Sequence, residues 1–126
     1  MSEPPRFTVH SRARSFVFAF HGWRRFIATQ HNAWVHAAAT VPVIAASILL
    51  GISAADWRWI VLAIALVWIT EALNTAIEQL GDAITTQREP RIGFAKDIAA
   101  GAVLVGAITA AAIGALTLAP YFIAML

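Results

Sequence analysis

The chain has 126 residues, of which 60% are hydrophobic and 13% charged, with a formal charge of +2. A soluble domain carries nearer a quarter charged residues, so this composition excludes an ordinary water-soluble globule and argues against nucleic acid as a partner for a chain largely in lipid. With no cysteine, a disulfide framework and a thiolate metal site are both excluded.

At this length one domain is expected. Residues 1–10 hold Pro4 and Pro5 and read as a disordered tail. From 11 to 29 a helical period appears, with Phe16, Phe20, Trp23 and Ile27 on one face and Arg14, His21 and Arg25 opposite. This predicts an amphipathic surface helix, lying at the lipid headgroups or packed on the protein's own spans. After a polar break at Gln30, His31 and Asn32, a first span is expected over about 33–50, with His36 near its start and Pro42 inside it. His36 reads as a packed or interfacial histidine, since no partner His or Cys lies at ligand spacing.

A second span is expected over about 57–80 and a third over about 93–121, separated by a polar loop at 81–90. Each is near the ~20 residues that a bilayer requires. In the third, Ala102, Gly106, Ala110 and Gly114 recur every four residues, a ladder that lets helices approach closely. The predicted fold class is therefore an all-α membrane protein, an N-terminal surface helix plus three transmembrane helices. Arg6, Arg12, Arg14, Arg24 and Arg25 precede the first span, while Arg88, Arg91 and Lys96 flank the second loop. Positive-inside logic places both regions in the cytoplasm.

The second span starts apolar and ends polar. Glu71, Asn74, Glu78 and Asp82 follow at offsets 0, 3, 7 and 11, within roughly 80° of one another on a helix. A carboxylate in hydrocarbon costs about 2.5–3.5 kcal/mol even on the insertion scale, so Glu71 and Glu78 require a protected setting. An ordinary amphipathic helix turning its polar stripe to water is the plain alternative. With Lys96 and Asp97 re-entering at the same level, the polar groups converge on the cytoplasmic third of the membrane, where ATP and Mg²⁺ are available.

A carboxylate withdrawn from water is a competent general base for a hydroxyl. A second one nearer water suits Mg²⁺, which takes one or two protein carboxylates and keeps waters. A lysine opposite can neutralise phosphate. These are the parts of phosphoryl transfer to a membrane alcohol, although carboxylates in spans also serve ion and proton pathways.

The stretch EALNTAIEQLGD, followed by AKDIAAGAVL, resembles the small bacterial integral-membrane lipid kinases, the diacylglycerol and undecaprenol kinase family. The pattern Glu-x-x-Asn-x-Ala-Ile-Glu-x-x-x-Asp is carried by Glu71, Asn74, Ala76, Ile77, Glu78 and Asp82, and Ala-Lys-Asp by Ala95, Lys96 and Asp97. Upstream, SFVFAFHGWRRF and Asn32 also resemble the family, so that the likeness covers about residues 11–120. The resemblance implies an ATP-dependent kinase for diacylglycerol or undecaprenol in the bacterial cytoplasmic membrane, acting as a homotrimer. It implies Glu71 as the base, Glu78 on Mg²⁺, and Asn74 and Asp82 ordering the site. Lys96 and Asp97 would meet the nucleotide, and Arg12 and Phe18 of the surface helix would help close over it.

Two departures stand out. Where the family offers a second metal carboxylate before the first span, this chain has Gln30, which can present only a neutral carbonyl oxygen to Mg²⁺. Where the family loop often reads Glu-Tyr-His, this chain has Gln87, Arg88 and Glu89, of which Arg88 could meet phosphate. Gln30 also motivates the competing expectation, a non-catalytic homologue that binds a cation or a partner.

Overall fold

The computed structural model describes residues 8–126. Among these it contains four helices and no strand: α1 (Val9–Thr29), α2 (His31–Leu49), α3 (Ala54–Ile84) and α4 (Pro90–Ile123). The last three are long and apolar enough to cross a membrane. The fold class is the one expected, an all-α membrane protein. The chain falls into two units, Met1–Gln30 and His31–Leu126.

In the first unit, α1 begins two residues earlier than the expected 11. Thr8 explains the shift, because it is the N-cap: its hydroxyl accepts from Ser11 N at 3.2 Å, satisfying one of the first-turn donors. The rest of the expected tail, residues 1–7, lies outside the described residues. Phe16, Phe20, Trp23 and Ile27 are exposed within this unit, as a face meant for lipid or for other protein would be. Trp23 meets Phe26 edge-on at 5.5 Å, and the Arg14 guanidinium lies 5.8 Å from the Phe18 ring centre. The helix ends where Gln30 turns extended, its N–H still donating to Phe26 O at 3.0 Å.

In the second unit, α2 runs through Pro42 without breaking, as a membrane helix can when its freed carbonyl is re-satisfied nearby. It closes with Gly51 at φ +60°, the left-handed position, while Ile52 N donates back to Ser47 O at 3.3 Å and Gly51 N to Ile48 O at 3.1 Å. This pair of bonds is a Schellman closure, which favours glycine because no Cβ is there to clash. Ser53 then caps α3, accepting from Asp56 N at 3.1 Å.

The expected spans are shorter than the helices. Against an expected second span of 57–80, α3 continues through Gly81 to Ile84. Against an expected third span of 93–121, α4 starts at Pro90 with Glu89 as its N-cap, so the loop is residues 85–89 and not 81–90. Gly81 is helical and α4 crosses over it: a Cβ there would lie 2.9 Å from both Ile92 Cγ2 and Lys96 Cε. At 31 and 34 residues, α3 and α4 reach about 46 and 51 Å at 1.5 Å per residue, longer than a hydrocarbon core of about 30 Å.

α3 is the centre of this unit, packed extensively along α4 and also against α2. One rung of the small-residue ladder explains the approach of α4. A Cβ on Gly106 would meet Thr70 Oγ1 at 2.9 Å, so the Thr70 side chain of α3 fills the space that a side chain at this position would need. At the far end, Tyr121 of α4 reaches the α2–α3 turn. Its hydroxyl accepts from Ser53 N at 2.9 Å and donates to Asp56 Oδ2, which also accepts from Ser53 Oγ at 2.7 Å. Hydrogen bonds to charged groups contribute about 1.5–3 kcal/mol each. Tyr121→Phe should therefore lower the thermal unfolding midpoint in detergent by several degrees, with little change in turnover. An unchanged midpoint would show that this hydroxyl does not fasten α4.

Candidate active site

The polar face of α3 is graded from buried to wet. Glu71 is 2% exposed and Asn74 5%, Glu78 is half-buried, and Asp82 is exposed. Helical spacing puts all four on one stripe, and the position of α2 and α4 against α3 decides how much water each one meets.

Glu71 lies against α2. Its Oε2 is 3.4 Å from Nε2 of His36, while its Oε1 has no hydrogen-bond partner among the described residues. His36 and Thr40 are one turn apart on α2, and Trp68 and Glu71 are one turn apart on α3. The Trp68 indole donates to Thr40 Oγ1 at 3.0 Å, and its ring lies tilted against the His36 imidazole with centroids 6.3 Å apart. Two polar contacts, Trp68–Thr40 and His36–Glu71, thus bridge α2 and α3 at neighbouring levels.

Asn74 donates from Nδ2 to Glu78 Oε1 at 3.4 Å, leaving its own buried Oδ1 unpartnered among the described residues. Lys96 of α4 donates to Asp82 Oδ1. Asp97 is exposed beside it on α4, and Arg88 is exposed in the 85–89 loop. The carboxylate of Glu89 accepts from Arg91 N at 3.3 Å, so this residue serves as a helix cap. Arg12, Phe18 and Gln30 belong to the N-terminal unit, where Gln30 Nε2 donates to Thr29 Oγ1 at 3.1 Å.

The second unit thus brings together Glu71, Asn74, Glu78, Asp82 and Lys96 along the α3 stripe and the facing turn of α4. Sequence patterns do not link His36, Thr40 or Trp68 to it. Their contacts span 28 and 35 positions, which no periodicity within one helix reveals. The ladder residues below Gly106 have another use. Ala110 and Gly114 of α4, with Ala39 and Val43 of α2 and Ala63 and Val67 of α3, line an apolar groove of about 540 Å³. His36 also lines it, so the groove opens onto the histidine that meets Glu71.

Among the described residues no three acidic or histidine side chains stand close enough to form a metal cage. Glu78 and the unpartnered Oδ1 of Asn74 do fit the lighter demand of Mg²⁺. That ion is held by one or two protein oxygens and completes its shell with water and phosphate.

Residues 17–118 match the family described as prokaryotic diacylglycerol kinase. The chain belongs to that family. It is 40% identical over 107 residues to an undecaprenol kinase of Bacillus subtilis, a match covering 85% of this chain and 87% of that protein. It is also 38% identical over 113 residues to a diacylglycerol kinase of Synechocystis, covering 89% of this chain and 65% of that one. The chain is accordingly a lipid kinase of the prokaryotic diacylglycerol kinase family and a membrane protein.

A buried carboxyl with an unpartnered oxygen is costly to the fold, by about 1–3 kcal/mol or more if charged. Such a cost is commonly retained where activity requires it. Glu71→Gln should therefore leave the thermal midpoint in detergent unchanged or raise it. A drop of several degrees would make Glu71 a structural contact in its own right.

Proposed function

We propose that the protein transfers the γ-phosphoryl group of Mg-ATP to the primary hydroxyl of a membrane lipid alcohol, undecaprenol or diacylglycerol, at the cytoplasmic face of the bacterial inner membrane. The observation that carries this reading is Glu71, a nearly fully buried carboxyl with Oε1 unpartnered, whose neighbour His36 lines an apolar groove.

The groove accepts hydrocarbon, and its His36 end is where an alcohol's hydroxyl would arrive. Glu71 Oε1 takes the hydroxyl proton as the oxygen attacks the γ-phosphorus, and the bond from that phosphorus to the β,γ-bridging oxygen breaks to release ADP. A positioned base of this kind contributes about two to four decades of rate. Glu78 and Asn74 Oδ1 would hold Mg²⁺, which when bound to ATP offsets phosphate charge. Lys96, steadied by Asp82, faces the phosphates, with Asp97 and Arg88 nearby in sequence as further nucleotide contacts. Excess lysine and arginine before α2 and around the 85–89 loop supports a cytoplasmic site. The exposed apolar faces of α2 and α4, among them Val41, Ile48, Leu104 and Ile108, suit lipid or neighbouring copies in a homotrimer.

The test is a mixed-micelle assay with Mg-ATP in which each lipid is offered separately, for wild type and Glu71→Gln. Wild type should phosphorylate at least one of the two alcohols. Glu71→Gln should lose roughly two to four decades in kcat, with the Michaelis constant for ATP nearly unchanged. Full turnover in that variant would remove Glu71 as the base.

A further inference from the structure

We infer that His36 is a positioning residue for the reaction, one that fixes the Glu71 carboxyl so that a single oxygen faces the substrate alcohol. This rests on the reading of Glu71 as the base. The two carboxyl oxygens are not equivalent: Oε2 lies 3.4 Å from His36 Nε2, and Oε1 is buried without a partner among the described residues. A carboxyl with neither oxygen held would rotate about its last torsion, which is broad and roughly two-fold for glutamate. With the ring in the tautomer that carries its proton on Nε2, donation to Oε2 would remove that freedom and leave Oε1 as the acceptor for the hydroxyl proton. Misplacing a reacting atom by about 1 Å can cost around 100-fold in rate, so the effect belongs in turnover.

The ring is itself constrained. His36 is 15% exposed, tilted against Trp68, and Trp68 is anchored by its bond to Thr40 on the same face of α2 as His36. His36 also lines the groove together with Thr40 and Val67. An alcohol whose chain lay in the groove would pass the imidazole before reaching Glu71. The arrangement therefore couples the seat of the hydrocarbon to the orientation of the base.

Three substitutions separate this role from plain packing. Gln places an amide nitrogen close to where Nε2 stands, Asn stops short of it, and Phe keeps the ring but has no donor. His36→Gln should keep turnover within a few fold of wild type. His36→Phe and His36→Asn should each lower kcat by about 10–100-fold, the range in which misplacement acts, with the ATP Michaelis constant and thermal midpoint near wild type. Combining His36→Phe with Glu71→Gln should add little to the loss from Glu71→Gln alone, because groups that act as a unit are not additive. Near-normal kcat in His36→Phe beside an inactive Glu71→Gln would overturn the role of His36 alone. So would equal losses in all three variants with a lowered midpoint, or full additivity in the double variant. Full turnover in Glu71→Gln would overturn the base and the role of His36 together.

Discussion

A carboxyl taken out of water among apolar helices must be compensated by its neighbours, and Glu71 is the point at which the second unit meets that demand. α3 is otherwise an ordinary membrane helix up to Thr70. One turn of α2, through His36 and Thr40, supplies the polar contacts that let the chain become polar inside the bundle. The compensation is incomplete by one oxygen. A fold selected only for stability would have satisfied that oxygen or replaced the residue with leucine. If Glu71 is the base, as proposed, the open oxygen would belong to the substrate.

The helices flanking α3 perform different tasks. α4 fixes distance, since Gly106 admits Thr70 and Gly81 admits Ile92 and Lys96, so a side chain at either position would have to displace these side chains. Because Lys96 crosses Gly81, its ammonium group is delivered to Asp82, at the wet end of the stripe. α2 fixes orientation, through aromatic and hydrogen-bonding contacts more than through close approach. Between the two, the groove runs along small side chains of α4. Small residues that draw membrane helices together thus also leave room for hydrocarbon further along the same helix.

The helical class, the number of spans and the stripe from Glu71 to Asp82 are all legible in periodicity and composition, because each is a local property of one helix. Boundaries are harder. Gly81 looks like a loop residue until α4 is seen lying across it. Glu89 followed by Pro90 is a helix start that the polar composition of its surroundings disguises as loop. Ser53 and Asp56 fall in the gap between two expected spans, and together with Tyr121, 65 positions from Asp56, they form a clasp. His36 reads as a packed histidine, which is true of its ring, but its nitrogen meets a carboxyl on another helix. Contacts of this range are set by tertiary packing, and no single-helix pattern carries them.

In the proposed reaction Glu71, only 2% exposed, is the group that receives the lipid alcohol. A hydrophobic carbodiimide, which modifies carboxyl groups in apolar settings, tests it directly when the modified residue is mapped by mass spectrometry and residual kinase activity is followed in parallel. The predicted result is modification at Glu71, loss of activity in proportion to it, and protection by the lipid alcohol but not by ATP. Modification of Glu71 with activity retained, or inactivation through Glu78, Asp82 or Asp97 with Glu71 untouched, would contradict it.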